Sequence, residues 1–176
     1  MTSRFPPLTP EVVRRSIEAQ RVRLREQLAR VVRLASADPS IGHLVFDVRP
    51  SFAADRFPLQ AHAWTRDREE PGTTASNAIL DVFDGNPPLL PSEFQWMPIG
   101  RDDIVGADFT PEARLIADAL ITEVRAVWRE LRTSVDRPSR RDLCGYVSME
   151  GFWADEGDGR QVLDLDTGEW ELTRGR

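Results

Sequence analysis

The chain has 176 residues, 40% of them hydrophobic and 30% charged, with a net charge of −6, which fits a single globular domain with a full core. Its one cysteine, Cys144, excludes an internal disulfide, and no apolar run approaches the ~20 residues of a membrane span. All 23 basic residues are arginine, so no side chain offers lysine-base or Schiff-base chemistry, and every cation is a planar fork suited to carboxylate or phosphate. The charge is unevenly spread. Residues 1–37 carry eight arginines against three acids, whereas residues 147–173 carry eight acids against one arginine. The opening Met1-Thr2-Ser3-Arg4-Phe5-Pro6-Pro7 has no apolar core of a signal peptide, and a cytoplasmic location is expected.

In chain order, Thr9-Pro10-Glu11 places a capping hydroxyl, a proline at the first helical position and an acid at the positive dipole end. The spacing of Val13, Ile17, Leu24, Leu28, Val31 and Ala35 predicts one apolar face of a helix from Pro10 to Ala35, ended by Asp38-Pro39. Alternation predicts a strand over His43–Arg49 with Leu44, Phe46 and Val48 on one face. A second strand is expected over Pro58–Arg66, with Leu59, Ala61 and Ala63 on one face. The polar stretch 67–77 reads as a loop. Residues 75–83 fit either a strand or a short helix ending at Gly85. Residues 84–109, with Pro87, Pro88, Pro91 and Pro98, read as an apolar cover over the core or as an exposed binding loop, with Glu93–Met97 a candidate edge strand.

Thr110-Pro111-Glu112 repeats the first helix start. Ala113, Ile116, Ala117, Leu120, Val124, Val127, Trp128 and Leu131 then predict a helix from Pro111 to Arg132. Three strand candidates follow, Leu143–Trp153, Arg160–Asp166 and Glu169–Thr173. They are separated by the acidic turn 155–159 and by a tight turn at Asp166-Thr167-Gly168. The expected fold is α+β: a mainly antiparallel sheet of about five to seven strands, with two long helices packed on one side.

No motif commits the chain to a reaction. The sequence has no Gly-x-Ser-x-Gly, no phosphate-binding glycine loop and no dinucleotide fingerprint, so no cofactor is expected. Asp164-Leu165-Asp166-Thr167 pairs two aspartates one residue apart after an apolar strand. The glycine and threonine behind it stand in the reverse of the order used by haloacid-dehalogenase-type phosphatases, and the stretch is read as a turn. Cys144 beside Gly145 reads as a structural thiol.

Three function readings follow. The first is a small acidic, non-catalytic binding protein of the immunity or antitoxin kind that neutralises a basic protein partner. Its docking patch would be Glu150, Trp153, Asp155, Glu156 and Asp158, acids beside an aromatic anchor. The second is a metal-dependent or acid–base hydrolase using His43, Asp47 and His62, provided the polar faces of the first two strands coincide. The third is a nucleic-acid-binding regulatory module built on Arg14, Arg15, Arg21, Arg23, Arg25, Arg30 and Arg33 of the first helix. The overall negative charge argues against nucleic acid. No membrane partner is expected, and the sequence sets no oligomeric state.

Overall fold

The fold is that of a computed structural model, described over residues 6–94, 110–134, 142–149 and 160–173. Among these residues, three α-helices and five strands run in the order α1 (Pro10–Ala37), β1 (His43–Val48), β2 (Leu59–Trp64), α2 (Thr74–Leu80), α3 (Pro111–Thr133), β3 (Cys144–Met149), β4 (Arg160–Asp164) and β5 (Trp170–Thr173).

Both long helices start where the sequence places them. Thr9 Oγ1 accepts from the Val12 N–H at 3.4 Å and Thr110 Oγ1 from the Ala113 N–H at 3.2 Å, each satisfying a donor the helix cannot. The six apolar positions expected on α1 are all buried. On α3 the stripe widens to include Ile121, while Leu131 is only partly buried. The ambiguous stretch 75–83 is helical. Thr73 and Ser76 form a reciprocal capping box at the start of α2, and a 3-10 turn over Asp81–Phe83 continues it. Ser92–Phe94 is also a 3-10 turn and not the start of an edge strand. The rest of that candidate, with Trp96 and Met97, lies outside the described residues.

The sheet order is β2-β1-β3-β4-β5. Leu44, Phe46 and Val48 of β1 face the helices and belong to one core with Ile17, Leu24 and Leu28 of α1 and Ile116, Leu120 and Trp128 of α3. The Trp128 ring meets Phe46 edge-on, with centroids 6.4 Å apart and planes at 70°. It also lies over Gly145, where an added Cβ would stand 2.6 Å from the indole. Glycine there lets α3 approach β3.

The mixed α+β class is as expected, and two of the helices, α1 and α3, are long; the sheet is mixed and a short third helix, α2, stands between them. β1 pairs with β3 in parallel, His43 opposite Cys144 through Val48 opposite Met149, while the other three pairings are antiparallel. Parallel neighbours need a crossover of a dozen residues or more, and the connection through α2 and α3 provides it. β1 thereby becomes a central strand, buried at five of its six positions, whereas the edge strand β2 alternates between buried and half-buried. This is why Val45 and Asp47, on the polar phase of the β1 pattern, are shielded from water.

Candidate functional site

The register assembles the face of the sheet turned away from the helices. Directly paired residues point to the same side. His43 therefore lies beside Trp64 and Cys144, Val45 beside His62 and Tyr146, and Asp47 beside Gln60 and Ser148. Both histidines and Asp47 do share one sheet face, the condition the hydrolase reading requires.

Asp47 is at the centre of this face, 1% exposed. Ser148 Oγ donates to its Oδ1 at 2.9 Å, and Arg49 Nε donates to its Oδ2 at 2.6 Å. Arg49 also reaches the Phe52 ring at 5.9 Å, and Arg56 lies over the same ring at 4.5 Å. A carboxylate buried this deeply is tolerable only because both oxygens are engaged and one partner carries positive charge. Two of the carboxylate's roughly four lone-pair sites are thereby taken.

The histidines meet different surroundings. His43 Nε2 lies 3.4 Å from the Arg66 carbonyl, and its ring is 5.8 Å from Tyr146. His43 Nδ1 and His62 Nε2 are shielded from solvent and lack a hydrogen-bond partner among the described residues. Burial pushes the His43 imidazolium below its usual range; Arg68 and Arg66 add repulsion, against the favourable backbone contact to Arg66. Burial also lowers His62, where Asp47 and Glu70 pull the other way and Arg49 opposes them. The Cys144 thiol, half-buried, is pushed up by burial, the reverse of an activated nucleophile. Among the described residues, no group of three or more His, Cys, Asp or Glu side chains is arranged to hold a metal ion.

The arginines of α1 are partly tied into the protein's own fold. Glu11 receives Arg14 and Arg15 at 2.8 and 2.7 Å, and Arg14 also reaches Glu18. From α1 to α3, Arg21 pairs with Glu123 at 2.9 Å and Arg25 with Glu130. Arg23, Arg30 and Arg33 are exposed and make no ion pair with a described residue. Asp166, from the paired-aspartate stretch, accepts from Trp128 Nε1 at 2.8 Å and from Arg132 Nε at 3.2 Å. Asp164 Oδ1 accepts from the Asp166 and Thr167 N–H groups, and Gly168 completes the turn at φ 78°. These two aspartates build and moor the β4–β5 turn.

The five residues of the expected docking patch, Glu150, Trp153, Asp155, Glu156 and Asp158, lie outside the described residues. A second acid-rich stretch, missed in the charge reading above, is described. Residues 67–93 carry six acids and one arginine. Of these, Glu69, Glu70, Asp81, Asp84 and Glu93 are exposed and form no salt bridge among the described residues. Leu80, 44% exposed, adjoins Asp81 in sequence. A running charge count along the sequence carries the signal for this stretch. Trp170, on β5, is 49% exposed. No helix among the described residues is long and apolar enough to cross a membrane. Comparison with protein-family models, with curated proteins and with solved structures found no match to the chain.

Proposed function

We propose that the protein is a small acidic, non-catalytic binding protein that neutralises a basic protein partner, in the manner of an immunity protein or antitoxin. The observation that carries this reading is how the charge is distributed. Four α1 arginines, Arg14, Arg15, Arg21 and Arg25, are paired with acids of the same chain, so the basic helix is partly neutralised from within. Glu69, Glu70, Asp81, Asp84 and Glu93 are exposed with no salt bridge among the described residues, and the sequence adds Glu150, Asp155, Glu156 and Asp158 beside Trp153. Surface acids of this kind speed encounter with a basic surface, and a tryptophan supplies the affinity.

The test is co-expression with the products of adjacent genes, followed by gel filtration. A stoichiometric complex with a basic product, with relief of that product's toxicity, is expected. No complex with any of them, together with metal-dependent hydrolysis by the purified chain that is lost in His43→Ala, would favour the enzyme reading instead.

A further inference from the structure

We propose that the turn-bearing end of the β1–β2 pair is an acid-sensitive clasp, held closed by neutral His43 and His62 and loosened when they take up protons. The inference does not depend on the binding reading.

The contact between His43 Nε2 and the Arg66 carbonyl suits a ring carrying its proton on Nε2, which leaves Nδ1 bare. Protonation would place an N–H on the shielded Nδ1, where no described acceptor waits. It would also set a positive charge beside Arg66 and Arg68. The other described neighbours of His43 are Trp64 on β2 and Cys144 and Tyr146 on β3, none of them an anion at neutral pH. At His62 the shielded nitrogen is Nε2, and an imidazolium would carry a second unsatisfied donor there. Its charged neighbours are Asp47 on β1, Arg49 just after that strand and Glu70 beyond β2, with Val45 directly opposite. Asp47 attracts the proton, but its oxygens already serve Ser148 and Arg49.

The segment placed to move is the turn after β2. The Thr65 N–H donates to the Glu69 carbonyl at 2.9 Å and the Arg68 N–H to the Thr65 carbonyl at 3.0 Å, with Arg68 at a left-handed φ of 63°. This turn carries both arginines that a charged His43 would repel. Arg66 packs so closely on Gly42 that an added Cβ would meet its side chain at 2.6 Å, and its guanidinium pairs with Asp142 just before β3. Charging His43 would strain the clasp from inside.

The sign follows from linkage. Burial lowers both histidines in the folded state, so below pH ~6.5 the unfolded chain binds more protons than the folded one. The stabilisation is complete above that pH. It falls as the pH drops toward the folded values, by up to about tenfold in the folding equilibrium per pH unit for each histidine.

The experiment is an NMR titration of the two imidazoles in the full chain. It is paired with urea unfolding and amide exchange at about pH 7.5 and about pH 5.5, a window above the ordinary carboxylate range. Both rings should titrate below ~6.5. The urea midpoint should fall between the two pH values, and the amides of 65–69 should exchange faster in acid. The double variant His43→Gln/His62→Gln should lose most of this pH dependence. Should that variant not fold, the wild-type titration decides alone. Rings titrating at or above ~6.5, or a wild-type midpoint unchanged between the two pH values, would overturn the proposal.

Discussion

Three single residues test how the interior is held. Asp47 joins β1, Arg49 and β3 through a buried carboxylate. Asp47→Ala would leave the Arg49 guanidinium and the Ser148 hydroxyl without their acceptor, and the expected loss is about 3 kcal/mol. Ser148→Ala removes one neutral donor to a charged acceptor and should cost roughly 1.5–3 kcal/mol. Urea unfolding measures both, and an Asp47→Ala protein as stable as the parent would show that the buried pair is not a stabilising contact. Gly145→Ala tests the approach of α3 to the sheet. The new methyl would press on the Trp128 indole, which is itself fixed by its hydrogen bond to Asp166. Overpacking of this kind should destabilise by about 1–3 kcal/mol. His43 shows where sequence reading stops at this scale. Its place on the polar phase of β1 was legible, but the shielding of one ring nitrogen depends on neighbours that arrive from two other strands.

At the scale of elements, legibility followed locality. The cap, proline and acid at each long helix lie within a few residues of one another, and the 3.6-residue spacing of the buried side chains runs unbroken, so α1 and α3 could be read directly. Replacing Thr9 or Thr110 by alanine should each cost about 1 kcal/mol, read as a shift in the denaturation midpoint. Cost-free removal of both would mean that tertiary packing alone sets the helix starts. The β4–β5 turn was legible for the same reason, since Asp164, Thr167 and Gly168 are local. Gly168→Ala should destabilise this hairpin, because φ is positive there and the Arg125 guanidinium occupies the space a side chain needs. The parallel pairing of β1 with β3 was not legible, because it joins segments about a hundred residues apart and leaves no local signature. The same pairing accompanies the burial of Val45 and Asp47, which lie on the phase of the β1 pattern opposite Leu44, Phe46 and Val48. Alternation reports a half-buried strand, and a strand flanked on both sides no longer obeys it.

In the whole molecule, Glu69, Glu70, Asp81, Asp84 and Glu93 are exposed with no salt bridge among the described residues, while four arginines of the basic helix are paired from within. The contrast between a basic start and an acidic remainder was legible in the sequence; the pairing of Arg21 with Glu123 and of Arg25 with Glu130 was not, because each joins residues about a hundred positions apart on two helices. The most direct test of the proposed function is the rate at which the protein associates with the basic partner proposed for it, measured against salt concentration for the parent and two charge reversals. The reversals are Asp81→Arg/Asp84→Arg on the described surface and Asp155→Arg/Glu156→Arg in the C-terminal acidic stretch. For the parent, association should slow markedly as salt shortens the Debye length from ~30 Å at 0.01 M to ~8 Å at 0.15 M. At least one of the reversals should slow it several-fold at low salt and flatten that dependence, while Trp153→Ala should instead speed dissociation. An association rate indifferent to salt and unchanged by both reversals would contradict the proposed role of the acidic surface.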